Sequence, residues 1–88
     1  MKEKDLVKIF KALGDETRLK IIESLLDGEK CVCDIIPSTQ RTQSTVSIQL
    51  AKLESYGVVE ARREGRKIYY RIVDRRIKKI LNMLRKKE

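Results

Sequence analysis

The sequence predicts a mainly α-helical domain that carries one small β-hairpin, in the order four helices, hairpin, helix. Three observations predict it. Apolar residues recur every three or four positions as far as Tyr56, the period drops to two between Val58 and Ile72, and it returns to the helical value after Asp74. At 88 residues, the chain fits one domain spanning residues 1–88. Charged residues make up 39% and hydrophobic residues 41%, a balance that supports a globular fold over disorder. A core this small is thin, and association with a second copy is a common remedy.

Leu6, Ile9, Phe10 and Leu13 place a first helix over residues 2–13, with Gly14 expected to close it in a left-handed conformation. Asp15 is the N-cap expected for a second helix, whose stripe is Leu19, Ile22, Leu25 and Leu26 and whose end is Asp27-Gly28. Residues 31–36 read as a short third helix stopped near Pro37, followed by a polar turn from Ser38 to Arg41. Thr42 can cap a fourth helix over residues 43–56, with Val46, Leu50 and Leu53 facing the core. Residues 58–63 and 67–72 then read as two strands joined through Glu64-Gly65-Arg66. Asp74 caps a last helix with the stripe Ile77, Ile80, Leu81 and Leu84.

Two short helices joined by a turn and followed by a basic hairpin form the layout of a winged helix-turn-helix, in which the second helix of the pair enters the major groove of DNA. The charge distribution agrees. The net charge is +8, and residues 62–88 hold twelve Lys or Arg against three acids while residues 1–60 are nearly balanced. Concentrated positive charge of this kind suits a polyanion. The exposed face of the fourth helix supplies Gln43, Ser44, Thr45, Ser47, Gln49 and Lys52, and carries no acid before Glu54. Gln can bond adenine through two hydrogen bonds, Ser and Thr can bond bases or phosphates, and Lys suits phosphates. In the hairpin, Arg62, Arg63, Arg66 and Lys67 can grip phosphates or enter the minor groove. Protection of an exposed strand edge would account for one or two of these charges, not four.

No stretch is long and apolar enough to cross a membrane, and the basic segments lack Trp or Phe for insertion, so a cytoplasmic protein without membrane contact is expected. The chain has no histidine and no Gly-rich phosphate loop, which leaves no nucleophile–base pair and argues against an enzyme. No cofactor is required. Cys31 and Cys33 are the candidate metal ligands, and small buried apolar residues are the alternative. A disulfide between residues so close would be strained, and a cytosolic chain is expected to keep both thiols reduced. On an ideal helix, residues two apart point about 200° from each other, so both sulfurs can meet one ion only if Cys31 lies outside the helix.

The segments from Phe10 to Ile21 (reading ALGDETRL within it), Cys31-Val32-Cys33-Asp34, Gln43 to Leu50 and Glu64 to Tyr70 resemble the ArsR/SmtB family of metal-responsive repressors over nearly the whole chain. The resemblance implies a homodimer held by the first and last helices, in which Ile77, Ile80, Leu81 and Leu84 are expected to be buried against the partner copy. It also implies repression at a roughly palindromic operator on double-stranded DNA and release by an inducer. It assigns Cys31 and Cys33 to trivalent arsenic or antimony, As(III) or Sb(III). This chain departs from the family in three places. Ile36 stands where the arsenite-responsive pattern has a third cysteine, Gln49 stands where members commonly carry His, and the zinc ligands of the last helix are reduced to Asp74, with Arg76 and Lys87 at the histidine positions. Two further readings compete: a winged-helix repressor responding to redox, a small molecule or a partner protein, and an architectural or RNA-binding winged helix.

Overall fold

The structure, a computed structural model, describes residues 2–85. The described residues form five helices and a three-stranded sheet, in the order α1 (Glu3–Leu13), α2 (Glu16–Ser24), β1 (Lys30–Cys31), α3 (Val32–Thr39), α4 (Gln43–Ser55), β2 (Val59–Glu64), β3 (Lys67–Ile72) and α5 (Arg75–Arg85). The winged helix-turn-helix layout is present, with α3 and α4 as the helix pair and β2–β3 as the wing. The sheet order is β1-β3-β2, antiparallel throughout.

Local signals act where expected at two helix starts. The Asp15 carboxylate accepts from the Arg18 backbone N–H at 3.0 Å, and the Thr42 hydroxyl accepts from the Thr45 N–H at 3.2 Å, each satisfying an amide with no partner inside its helix. Ile21, Ile22, Leu25, Ile35, Val46, Leu50, Leu53, Val58, Val59 and Ile77 form the core, all essentially without solvent contact. An ion pair between Arg85 and Glu23 fastens α5 to α2.

Four expectations are corrected. First, α3 does not stop at Pro37 but runs to Thr39, with Gln40 in the left-handed conformation closing it. The hydroxyls of Ser38 and Thr39 donate to the carbonyls of Ile35 and Ile36 at 2.7 and 2.9 Å, and buried Thr39 anchors the last turn. Second, Gly14 is not left-handed (φ −86°); glycine fits there because a Cβ would lie 3.0 Å from the Phe10 carbonyl oxygen. Third, Lys30 and Cys31 form a strand, pairing with Tyr70 and Tyr69 of the wing. The hairpin itself turns through Gly65 and Arg66, with Glu64 and Lys67 paired and Gly65 at φ 62°.

The fourth correction concerns the apolar stripes of the outer helices. Ile77 and Leu81 do not wait for a partner: they lie in the chain's own core, as does Ile9 of α1. What remains open to solvent is Leu6, Val7 and Phe10 on α1 with Met83 and Leu84 on α5, the last at 71% exposure.

Candidate nucleic-acid interface

Helix α4 is oriented by Val46, Leu50 and Leu53, which turn one side into the core. At about 100° per residue, Ser44 and Ile48 then lie nearly opposite the core, with Gln43 and Ser47 on one flank and Thr45 and Gln49 on the other. The six polar residues expected to face a ligand are therefore not equivalent. Gln43, Ser44, Ser47 and Lys52 are exposed. Thr45 is half-buried, and its hydroxyl accepts from that of Thr42 at 2.9 Å, within the helix cap. Gln49 is also half-buried, and its side-chain carbonyl accepts from Arg18 at 2.8 Å.

Arg18 is a residue whose role sequence reasoning missed. Its guanidinium also donates to the Lys11 carbonyl at 2.8 and 3.2 Å and sits 5.8 Å from the Tyr56 ring. One side chain thus ties the C-terminal end of α1 to α4. Because its partners are 7 and 31 residues away, no local spacing could reveal it. A second link ties the turn between α3 and α4 to α2: Arg41 donates to the Thr17 hydroxyl at 3.1 Å.

The wing cations also differ from one another. Arg62 lies between two carboxylates, at 2.7 Å from Glu29 and 2.6 Å from Glu64, and stacks 4.7 Å from the Tyr69 ring. The hydrogen bond from Arg62 holds the Glu29 carboxyl below its ordinary pKa, and the two acids in turn raise that of Arg62. Its charge is matched within the fold. Arg63, Arg66 and Lys67 are exposed and have no carboxylate within ion-pair distance among the described residues.

An open cleft joins the two halves of this surface. Gln43 and Ser47 of α4, Arg66 and Lys67 of the wing, and both cysteines line it together. Cys31 is extended (φ −66°, ψ 145°) and precedes α3 as its N-cap, its sulfur accepting from the Cys33 N–H at 3.2 Å. This position outside the helix removes the geometric obstacle, and the Cα atoms are 5.1 Å apart. The two sulfurs are joined in the structure, against the expectation of separate thiols. The Cα separation lies within the ordinary span for a disulfide, because an extended residue before a helix does not follow the 100° rule. Cys31 is buried and Cys33 exposed. Ile36 borders the same cleft. Among the described residues, no cluster of three or more His, Cys, Asp or Glu is placed to hold a metal ion.

Asp74, the remaining residue of the zinc pattern, caps α5 instead. Its carboxylate accepts from the Arg76 N–H at 3.0 Å and pairs with the Arg76 guanidinium at 2.8 Å. That hydrogen bonding lowers its pKa below the ordinary value. Lys87 lies outside the described residues.

Comparison with known proteins extends these findings. Residues 15–61 match the family described as bacterial regulatory protein, arsR family. The chain is 45% identical over 78 residues to an uncharacterized HTH-type transcriptional regulator of Methanocaldococcus jannaschii, covering 88% of each. It is 39% identical over 67 residues to the arsenical resistance operon repressor of Escherichia coli, covering 75% of this chain but 57% of that protein. A solution structure of a homodimeric winged helix-turn-helix DNA-binding domain from Mycobacterium bovis superposes with a TM-score of 0.81 at 36% identity, covering 91% of this chain and 74% of that one. The fold, the matched segment and these relatives agree that the chain belongs to the ArsR family of winged helix-turn-helix transcriptional regulators.

Proposed function

We propose that this protein is a homodimeric, sequence-specific DNA-binding repressor that a thiophilic metalloid such as arsenite releases from its operator. The observation that carries the reading is the joint surface of α4 and the wing. Gln43 and Ser47 line one cleft with Arg66 and Lys67, so base-reading and phosphate-binding groups lie side by side. Gln43, Ser44, Thr45, Ser47, Gln49 and Lys52 belong to the groove-facing helix. Arg63, Arg66 and Lys67 supply phosphate contacts, and Arg62 braces the wing. A two-fold axis relating two such surfaces would address half-sites about one helical turn apart on a roughly palindromic duplex.

Release follows from where the cysteines sit. Cys31 belongs to β1, which pairs with the wing strand β3 at Tyr69, and Cys33 belongs to the first turn of α3. Drawing the two thiolates onto one ion therefore acts on the wing and on the helix that packs against α4. Soft sulfur donors suit trivalent arsenic or antimony, and hydroxide can fill the position a third cysteine would take. The test is fluorescence anisotropy of labelled duplex from the protein's own upstream region, under reducing conditions, with and without arsenite. Tight binding released by arsenite in the natural protein, and retained in Cys31→Ser and Cys33→Ser, is expected. Binding indifferent to arsenite would refute the inducer while leaving the repressor.

One observation favours a second input. The joined sulfurs suit a redox signal, and the same titration with a thiol oxidant in place of arsenite separates the two readings.

A further inference from the structure

Among the described residues, six large apolar side chains are exposed, and five of them lie on α1 and α5. The sixth is Ile48 of α4, at 56% exposure. It sits about 190° around the helix from the mean direction of Val46, Leu50 and Leu53, which makes it the centre of the outward face. Around it at i−4, i−3, i+3 and i+4 stand Ser44, Thr45, Ala51 and Lys52, three smaller residues and one cation, so the isoleucine projects beyond the three smaller ones. Helix propensity does not explain it, since a β-branched residue is a poorer choice at an exposed helical position than Ala, Lys or Gln. Core packing does not explain it either, because it faces away from the core.

On the DNA-binding reading above, a side chain at this position would enter the major groove ahead of the others. The apolar group that base edges present there is the C5-methyl of thymine; the remainder is a pattern of hydrogen-bond donors and acceptors. We infer that Ile48 is a specificity-determining residue that reads a thymine methyl in each half-site. The inference rests on the DNA-binding reading above and adds to it an apolar contact among polar ones. The flanking Ser44 and Ser47 hydroxyls would bond bases or phosphates beside it, so that thymine at this place is recognised by burial of its methyl rather than by a hydrogen bond.

The test begins with selection of duplexes from a random library by the natural dimer. Each thymine of the enriched site is then replaced in turn by deoxyuridine, which removes only the methyl. At one symmetric pair of positions, deoxyuridine is expected to weaken binding about fourfold per half-site, the weight of one buried methyl. In Ile48→Ser, thymine and deoxyuridine at that pair should bind alike, while Ile48→Val should retain the preference; circular dichroism checks that both variants fold. An enriched site at which no deoxyuridine weakens binding, or a preference that survives in Ile48→Ser, overturns the assignment of Ile48 and leaves DNA recognition standing. Failure to enrich any sequence overturns both.

Discussion

Arg62 and Arg66 are four residues apart in one basic hairpin, yet their removal should have different consequences. Arg66 is exposed at the turn with no carboxylate in ion-pair distance among the described residues, whereas Arg62 is held by Glu29 and Glu64. Counterion release gives a salt slope of about −0.9 per neutralised phosphate, so Arg66→Ala, which removes one contact per wing and two per dimer, should flatten the slope by about 1.8. Over a fourfold increase in salt, from about 50 to 200 mM, the natural protein should then lose about twelvefold more affinity than the variant. The matched control is the double variant Arg62→Gln/Glu29→Gln, which removes a cation and an anion together and leaves the net charge unchanged. Its slope should equal that of the natural protein. The assay is anisotropy titration of one labelled duplex at several salt concentrations. An unchanged slope in Arg66→Ala would refute the wing as a phosphate contact. A slope flattened by the double variant as much as by Arg66→Ala would refute the argument that internal pairing takes Arg62 out of the interface.

Three further predictions concern assembly and stability. Phe10→Glu and Leu84→Glu, both on exposed apolar positions, should shift the protein to the monomer in sedimentation experiments and weaken operator binding with it, while each chain keeps its helical circular dichroism. Leu53→Ala, at a fully buried site, should cost about 2–5 kcal/mol and lower the melting temperature by about 10 °C or more. Asp74 has a lowered pKa in the folded chain, chiefly through its hydrogen bond from Arg76. Its contribution is therefore complete above its ordinary value near 3.8 and is lost as pH falls through the lower folded value. Asp74→Asn should destabilise the protein at neutral pH and reduce the loss of stability on acidification, as followed by thermal melts between about pH 2 and 6.

Much of this fold was legible because its signals are local. The switch from helical period to alternation at Val58, the caps Asp15 and Thr42, and the buried stripe Val46-Leu50-Leu53 each depend on residues a few positions apart. They acted as read, since nothing elsewhere in the chain competes with them. The third helix shows the limit of that reasoning. Pro37 has a breaking tendency, but the hydroxyls of Ser38 and Thr39 and the burial of Thr39 outweigh it. Sequence alone carries the order of the five helices and the hairpin, the basic C-terminal third and the acid-free face of α4, because period and charge are properties of the string.

Tertiary structure decided which members of those sets are available. Six polar residues on one helix look alike in sequence, yet Gln49 is held by Arg18 from another helix, and Ile48 rather than a polar residue occupies the outermost position. Four cations in one hairpin look alike, yet Arg62 is paired with Glu29, 33 residues away. Two cysteines that an ideal helix would hold apart are brought together because a two-residue strand places Cys31 before the first turn. For Gln49, Arg62 and Cys31 the deciding partner (Arg18, Glu29 and strand β3) is distant along the chain, and its effect is a matter of packing and charge in three dimensions that no local spacing encodes.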